Sequence, residues 1–299
     1  MSIHYSAEVA AALKSGAPIV ALESTIISHG LPRPSNLSVA IEVEEIVRAH
    51  GAVPATIAIL DGRICVGLEA DQLKEIANRD DIAKASIRDL AMISALKSSA
   101  ATTVAATSHI AGLAGIKVFA TGGLGGVHRG ANESFDESAD LGALGKLDIA
   151  IVCAGVKSIL DVGATLERLE TLSIALVGYK TNAFPGFYLT DSGFTLEHRV
   201  DSAQEIAAII KARRELKTDS TALVVANPVK DEMDRARHDA ILVSGLAAAT
   251  AQGITGKAVT PFLLEHFHTA SQGESLKVNI DIIKSNSALA ADIAVAVAK

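Results

Sequence analysis

The chain has 299 residues, a formal net charge of −7 and a composition that is 49% hydrophobic, 20% charged and 3% aromatic. This mixture is typical of a folded α/β enzyme and not of a disordered chain. The negative charge argues against bulk nucleic-acid binding, which requires a basic surface, but allows a small anionic ligand at a local cluster of donors. The mean hydropathy of +0.34 is high for a soluble monomer and predicts that some apolar surface is buried between subunits.

The N-terminal segment and the cysteines suggest the compartment. The segment MSIHYSAEVAAALKSG lacks a basic region followed by an uninterrupted apolar stretch, so it predicts no signal peptide. No apolar run reaches the roughly 18 residues that a membrane span requires. Cys65 and Cys153 lie in separate predicted core strands, and two such cysteines form neither a disulfide framework nor a zinc knuckle. We therefore expect a reduced, cytoplasmic protein that binds no membrane.

Short β-rich runs alternate with longer helical ones, a pattern that indicates a layered α/β architecture. The predicted strands are Ile19–Leu22, Ala55–Leu60, Ile64–Val66, Lys117–Ala120, Ile149–Cys153, Ala175–Gly178 and Leu223–Ala226. The predicted helices are Leu37–His50, Asp71–Ile76, Thr103–Ala114, Ser158–Glu170, Ala203–Arg214, Ala236–Ala251 and Leu276–Ala298.

Two local signals refine this α/β prediction. Asp61-Gly62 suits the positive φ angles of a two-residue hairpin turn, so the central sheet is predicted to be mixed. Ser35 or Asn36 is predicted to cap the helix that follows it. No linker or internal repeat divides the chain, and residues 1–299 are predicted to form a single domain.

Three predicted strands end in chemically useful groups. Glu23 follows the first strand, the loop TGGLGGVHRG follows Ala120, and Lys157 follows Cys153. Ligands of open α/β sheets usually bind beyond the carboxyl ends of strands. An acid, an amine and a glycine-rich loop whose backbone N–H groups can approach an anion are therefore predicted to meet in one pocket.

Each candidate group also has an ordinary structural explanation. Glu23 could cap a helix or pair with an arginine. The glycine-rich loop could be a tight turn, since it fits neither the Walker A nor the dinucleotide-binding pattern. Thr102 and Thr103 could bind a phosphate at a helix N-terminus or only cap that helix. Asp136 and Asp140, four residues apart, could hold a hard divalent cation or be solvated.

Lys84 and Lys157 are the candidates for amine chemistry. A lysine attacks a carbonyl or sugar carbon as the neutral amine, which partial removal from water favours. Cys153 is a rival nucleophile, but it lies inside a predicted strand without a histidine nearby in sequence, and we interpret it as a core residue. Of the nine histidines, His29 and His128 fall in the candidate loops, and no pattern typical of a zinc site occurs.

Nine segments carry a resemblance to a known family. They are VALESTIISHGLPRPSN, GAVPATIAILDGRICVGL, ATTVAAT, KVFATGGLGGVHRGA, FDESADL, CAGVKSILD, TLERLET, TPFLLE and SLKVNI, in the order in which the family has them. Together they resemble pseudouridine-5′-phosphate glycosidases, also called the indigoidine synthase A-like family. The resemblance extends from Pro18 to Ile293.

The resemblance implies a three-layer α/β/α domain, a homotrimer and a reversible reaction. Pseudouridine 5′-phosphate and water would give uracil and ribose 5-phosphate, with Mn²⁺ assisting. Lys157 matches the family's Schiff-base lysine, Glu23 its proton donor and Asp136 its metal ligand. The positions that the resemblance implies for substrate binding are Lys84, Thr103, Val104, Ser138, Ala139, Asp140, His128 and Asn279.

Two departures from the family pattern flank the expected phosphate end. Ile87 stands beside Arg88 where the family usually has two arginines, and Ser99-Ala100 stands where it usually has Asn-Gly. Two other functions remain open. A Schiff-base aldolase or isomerase would use the same lysine on another sugar phosphate, without a uracil-dependent reverse reaction. A non-catalytic nucleotide-phosphate-binding protein would bind ligand without releasing uracil.

Overall fold

A computed structural model describes residues 3–299, apart from the side chain of Lys257. The strands are β1 His4–Tyr5, β2 Ile19–Glu23, β3 Val53–Leu60, β4 Arg63–Val66, β5 Ala83–Ala85, β6 Ala100–Thr102, β7 Val118–Ala120, β8 Ala150–Cys153, β9 Ala175–Tyr179, β10 Arg199–Val200 and β11 Leu223–Ala226. The α-helices are α1 Ala7–Ser15, α2 Ser35–Ala49, α3 Ala70–Asn78, α4 Leu90–Ala95, α5 Val104–Leu113, α6 Ala131–Ser134, α7 Ala139–Leu144, α8 Val162–Thr171, α9 Ala203–Glu215, α10 Arg235–Ala251, α11 Val259–Ala270 and α12 Glu274–Ala298.

These strands form one mixed sheet, as the sequence predicts. Its order is β1-β4-β3-β2-β7-β8-β11-β9-β10, with β6 paired to β3 and β5 paired to β6. The central strands β3, β2, β7, β8, β11 and β9 run parallel, whereas β4 and β6 run antiparallel to β3. The predicted hairpin is confirmed, since Leu60 pairs with Arg63 and the turn residues Asp61 and Gly62 have φ angles of 47° and 79°.

The central strands bury both of their faces under helices. In β2, Ile19 and Ala21 pack into an apolar cluster with residues of α1, α5 and α8. Val20 and Leu22 pack into a second cluster with residues of α2, α9 and α12. Successive side chains of a strand point to opposite faces, so a continuous apolar run fits a strand that is covered on both sides. This arrangement is the predicted three-layer α/β/α fold.

All of the predicted strands and helices are present, and their ends differ from the predictions by at most four residues. The predicted cap of α2 is wrong. The helix begins at Ser35 after Pro34, without a side-chain cap. Asn36 is instead buried and donates to the carbonyls of Ile27 and Ala77, which joins α2 to the neighbouring segments.

The helix predicted to begin at Ser158 begins at Val162. The Asp161 side chain accepts a hydrogen bond from the Ala164 N–H at 3.0 Å and caps that helix, so the four residues from Lys157 to Leu160 stay outside it. Among the helices within residues 3–299, none combines the length and apolar composition that a membrane crossing needs.

Candidate active site

A cavity of about 350 Å³ lies where the carboxyl ends of the neighbouring parallel strands β2, β7 and β8 meet. Glu23 is the last residue of β2, Gly122 and Gly123 follow β7, and Lys157 follows β8. All four line the cavity. The acid, the glycine-rich loop and the amine that the sequence predicted to meet are therefore brought together by the order of the strands.

The structure also brings the other assigned positions to this cavity. Its lining includes every residue to which the resemblance assigned a role, namely Glu23, Lys84, Thr103, Val104, His128, Asp136, Ser138, Ala139, Asp140, Lys157 and Asn279. The loop histidine His29 lines it as well. Of the two departures from the family pattern, Ser99 accepts a hydrogen bond from the Asp61 N–H and supports the β3–β4 hairpin, and neither Ile87 nor Ser99 is among the lining residues.

Glu23 carries an unusual proton affinity for a carboxyl group. Burial raises its pKa above the ordinary value, while the nearby charge of Lys157 and a hydrogen bond from the Thr121 hydroxyl lower the pKa by less. Glu23 consequently keeps its proton to a higher pH than an exposed glutamate does. This is the condition that a general acid near neutral pH requires.

A series of buried hydrogen bonds holds Thr121, the residue whose hydroxyl contacts Glu23. The Asn286 amide donates to the backbone carbonyl of Thr121 at 2.7 Å, and the Asn227 amide donates to the Asn286 side-chain oxygen at 2.9 Å. Asn286 and Asn227 are 1% and 7% exposed, so these hydrogen bonds lie away from competing water. Thr121 is thereby held in the position from which its hydroxyl contacts Glu23.

Lys157 is half-buried, and its backbone and its amine are both held. Its N–H donates to the Leu124 carbonyl at 3.2 Å, and its Nζ donates to the Gly123 carbonyl at 2.5 Å. Cys153, the rival nucleophile, is fully buried in β8, and burial raises the pKa of its thiol to about 12. The interpretation of Cys153 as a core residue is confirmed, whereas Lys157 lines the cavity.

The glycine-rich loop needs glycine because other groups approach it closely. A Cβ at Gly123 would lie 2.6 Å from Cδ2 of Phe187, and one at Gly125 would lie 2.3 Å from the Ser138 hydroxyl. Phe187, which sequence reasoning did not identify, lines the cavity beside this loop. The loop is thus a packed wall of the site and not only a tight turn.

Gly123→Ala tests this packing. The added methyl group must displace the Phe187 ring, and we expect a loss of about 1–3 kcal/mol in the free energy of unfolding, as for other overpacked sites. Thermal or denaturant unfolding measures it. Gly142→Ala is the matched control, because a Cβ at Gly142 in α7 meets no atom within 4 Å and alanine favours a helix. Equal stability of the two variants would contradict the role of Gly123.

Asp140 connects two parts of the cavity wall. Its two carboxylate oxygens accept the N–H groups of Ala105, in the first turn of α5, and of Gly125, each at 2.9 Å. Thr103 caps α5 by accepting from the Ala106 N–H. Val104, the first residue of α5, lines the cavity, so the N-terminus of this helix lies at the cavity wall.

The β5 segment adjoins the start of α5. Ala85 of β5 pairs with Thr102, and the Thr103 N–H donates to the Ala85 carbonyl at 3.0 Å. Lys84, Ser86 and Arg88 line the cavity from this segment. Two cationic side chains and the N-terminus of α5 therefore surround one end of the cavity, which suits an anionic group.

Asp136 lies at the cavity wall with one close neighbour that can also bind a cation. The backbone N–H of His128 donates to the Asp136 carbonyl at 3.0 Å, and the His128 Nδ1 lies 3.8 Å from an Asp136 carboxylate oxygen. Within residues 3–299 there is no group of three or more His, Cys, Asp or Glu side chains arranged to hold a metal. Asp136 therefore offers a cation a single carboxylate, and the nearby His128 ring is a potential second ligand.

One wall of the cavity comes from a segment that sequence reasoning left without a role. Helices α10 and α11 pack against each other, and Thr260, Pro261 and Leu264 of α11 line the cavity. These residues belong to the segment TPFLLE, so the only sequence signal for them is the resemblance itself. We refer to α10 and α11, residues 235–270, as the helical hairpin.

The sequence is similar to a described protein family and to named relatives. The chain matches the model of the family described as indigoidine synthase A like protein over residues 8–296. The pseudouridine-5′-phosphate glycosidase of Salinispora tropica is 59% identical over 296 residues, which cover 98% of this chain and 91% of that protein. The pseudouridine-5′-phosphate glycosidase of Geobacillus kaustophilus is 49% identical, with 97% of each covered.

Two solved structures share the fold over almost the entire chain. The prealnumycin C-glycosynthase AlnA, in complex with ribulose 5-phosphate, is 34% identical and superimposes with a TM-score of 0.91, covering 99% of this chain and 97% of that one. An indigoidine synthase A-like protein from Thermotoga maritima is 35% identical, with a TM-score of 0.90 and the same coverage. The chain therefore belongs to the indigoidine synthase A like family.

Proposed function

We infer that this chain is an enzyme of pseudouridine catabolism that reversibly cleaves the C–C glycosidic bond of pseudouridine 5′-phosphate with water, giving uracil and ribose 5-phosphate. The observation that carries this inference is the cavity in which the Lys157 amine and the protonatable Glu23 lie together. Relatives with 49–59% identity are named for this reaction. The related AlnA structure holds a pentose phosphate, which supports a sugar phosphate as the ligand.

The bond to be broken explains why an amine is needed. Ordinary glycosidases protonate a leaving oxygen and use two carboxylates. The leaving atom here is C5 of uracil, a carbon without a lone pair to protonate. A covalent amine intermediate avoids this obstacle by dividing one difficult step into easier ones.

The proposed steps balance as follows. The Lys157 amine forms an N–C bond to C1 of the ribose as the bond from C1 to the ring oxygen breaks, and that oxygen takes a proton. The bond between ribose C1 and uracil C5 then breaks. Its electron pair goes to uracil C5, which takes a proton, while the lone pair of the Lys157 nitrogen forms the C1=N imine. Water adds to C1, the amine leaves, and ribose 5-phosphate is released.

Glu23 is the proposed donor of the proton to uracil C5. Burial raises its pKa and so favours the protonated form, and the Thr121 hydroxyl contacts the carboxyl group. Proton transfer by a positioned group of this kind typically contributes about 10²–10⁴-fold to the rate. The ribose phosphate group is proposed to bind at the Val104 N–H with Lys84 as a point charge, and Arg88 adds a second cation at that end.

We propose that Asp136 holds Mn²⁺ with water as the main other ligand. A single carboxylate facing a cavity fits a hard, oxygen-preferring ion that retains its waters, whereas Asp140 is already occupied by two N–H groups. The bound ion would supply positive charge that polarises nearby oxygen atoms.

Asp136→Asn should weaken Mn²⁺ binding roughly 10-fold or more, because the amide removes the charge of the ligand. Loss of the free-ion signal in electron paramagnetic resonance titrations measures the affinity directly. Glu133→Gln is the control, because Glu133 is an exposed acid of the neighbouring α6 outside the cavity lining, and this variant should bind as the wild type does. Unchanged affinity in Asp136→Asn would reject the site.

The assembly and compartment are proposed from composition and resemblance. We propose a homotrimer from the resemblance, while the high mean hydropathy supports an oligomer of any subunit number. Light scattering should give three times the mass of the chain. A cytoplasmic location is proposed because Cys65 and Cys153 are both free thiols in the structure. Recovery of the protein in an oxidising compartment by cell fractionation would contradict it.

The reverse reaction tests the proposed function. Protein, Mn²⁺, uracil and ribose 5-phosphate are mixed, and the ultraviolet spectrum and mass are followed for pseudouridine 5′-phosphate. We expect this product to form and to depend on uracil. An aldolase or isomerase would convert the sugar phosphate without using uracil, and a non-catalytic binding protein would leave both reactants unchanged.

A further inference from the structure

Ser158, the residue after Lys157, takes part in a buried contact outside the cavity lining. It is 6% exposed, and its hydroxyl lies 2.9 Å from Nε2 of His238 in α10. The His238 Nδ1 lies 2.9 Å from a carboxylate oxygen of Asp239. The set has the residue types of a hydrolase triad, but Ser158 does not line the cavity and so cannot attack a substrate there. Its role must be sought in what it holds.

The Asp239 carboxylate is a hydrogen-bond acceptor for the Nδ1 N–H of His238. In the tautomer that carries its proton on Nδ1, Nε2 of His238 accepts the hydrogen bond from the Ser158 hydroxyl. The Arg129 guanidinium also contacts the backbone carbonyl of Ser158 at 3.4 Å. The peptide that follows Lys157 is thus held from the helical hairpin and from the glycine-rich loop.

A second chain of contacts leads from His238 to the amine of Lys157. The centroids of the His238 and Tyr188 rings are 6.4 Å apart. The Tyr188 ring lies edge-on to the Phe187 ring, with 4.7 Å between their centroids. Phe187 in turn packs against Gly123, whose carbonyl accepts the hydrogen bond from the Lys157 amine. His238 therefore supports both the backbone and the amine contact of Lys157.

We propose that Ser158 and His238 are positioning residues for the reaction of Lys157. Their hydrogen bond joins the helical hairpin, which supplies part of the cavity wall, to the turn that carries the amine. This inference rests on the proposed function, in which Lys157 is the reacting group. Attack by an amine requires near-ideal placement, and a displacement of about 1 Å can cost on the order of 100-fold in rate.

The test measures imine formation in isolation. Enzyme is mixed with an excess of ribose 5-phosphate at several concentrations and quenched with borohydride at successive times, and the reduced adduct on Lys157 is quantified by mass. Ser158→Ala and His238→Leu should each slow adduct formation by roughly 10- to 100-fold, with little change in the concentration of sugar phosphate that half-saturates the enzyme. The double variant should be no slower than His238→Leu alone, because the hydrogen bond that Ser158→Ala removes is already lost in that variant.

Conservative and matched variants separate positioning from general stability. His238→Gln keeps an acceptor near the place of Nε2 and should recover most of the rate, and Ser158→Cys keeps a weak donor and should be intermediate. If Ser158→Ala does not fold, His238→Gln and Ser158→Cys still test the positioning role. Ser244→Ala is the control, because Ser244 contacts His266 Nε2 at the same 2.9 Å within the helical hairpin but touches no residue beside Lys157. It should form the adduct at the wild-type rate.

Two failures can be told apart. A wild-type protein without any adduct would refute the lysine step of the proposed function, and the positioning role with it. A wild-type adduct that forms equally fast in folded Ser158→Ala or His238→Leu would refute the positioning role alone. So would an equal loss of rate in Ser244→Ala, because the effect would then reflect the stability of the helical hairpin.

Discussion

Lys157→Met should lower turnover of pseudouridine 5′-phosphate by roughly 10⁴-fold or more, the scale of loss when a covalent nucleophile is removed. Methionine keeps the apolar stem of the half-buried side chain but cannot form an imine. The variant also loses the hydrogen bond to the Gly123 carbonyl, so its unfolding temperature is compared with that of the wild type. Steady-state assays that follow uracil release measure the effect.

Lys84→Met is the matched comparison, because Lys84 is the second lysine assigned to the same cavity. If Lys84 binds the phosphate and does not react, its loss should raise KM with a smaller effect on kcat. The adduct with ribose 5-phosphate should still form on Lys157. If Lys84→Met lost all turnover while Lys157→Met stayed active, Lys84 would be the nucleophile and Lys157 the phosphate-binding residue.

Glu23→Gln should lower kcat by about 10²–10⁴-fold, because the amide cannot transfer a proton. The wild-type cleavage rate should fall as the pH rises through the raised pKa of Glu23, since the protonated donor is then lost. This alkaline limb should be absent from the residual activity of the variant. A pH profile of kcat for the two proteins checks both statements.

Glu44→Gln is the control for Glu23→Gln. Burial raises the pKa of Glu44 as well, and its carboxylate also accepts from a threonine hydroxyl, that of Thr56 at 2.7 Å. Glu44 lies on α2 and is not among the cavity-lining residues, so Glu44→Gln should keep the wild-type rate and its alkaline limb. Equal losses of kcat in Glu23→Gln and Glu44→Gln would mean that the loss of any buried carboxyl group lowers the rate.

The same raised pKa also determines how stability depends on pH. The pKa of the Glu23 carboxyl group is higher in the folded than in the unfolded state. Its contribution to stability is therefore fully present when the pH is below its pKa in the unfolded state, and it is lost as the pH rises through its pKa in the folded state. Glu23→Gln removes this loss, so the variant should have a higher unfolding temperature than the wild type on the alkaline side. Catalytic groups are often retained at such a cost in stability.

The sequence predicted the parts of the fold and site that depend on local pattern. The apolar runs that became β2, β7 and β8 are long enough to identify, and a parallel order of strands brings their carboxyl ends together. Glu23, Gly123 and Lys157 therefore met in the cavity as expected. The strands β1, β5, β6 and β10 were missed, because each has only two or three residues and includes a polar one, whereas the equally short β7 is wholly apolar.

The supporting contacts of the site were not predictable from the sequence alone. The Asn286 amide that holds Thr121 lies 165 residues away along the chain, and His238 lies 80 residues from Ser158. Such pairs depend on how helices pack on the finished sheet, and no spacing rule encodes them. The reacting groups were found because they follow strands, whereas the groups that position them come from distant helices.

Borohydride trapping tests the central claim of this account most directly. Wild-type protein is incubated with ribose 5-phosphate, reduced with borohydride, digested and mapped by mass spectrometry. The predicted result is one reduced sugar-phosphate adduct, on the peptide that contains Lys157, and none in Lys157→Met. An adduct on Lys84 or another lysine, or full uracil release by a protein that never gives an adduct, would contradict the lysine mechanism.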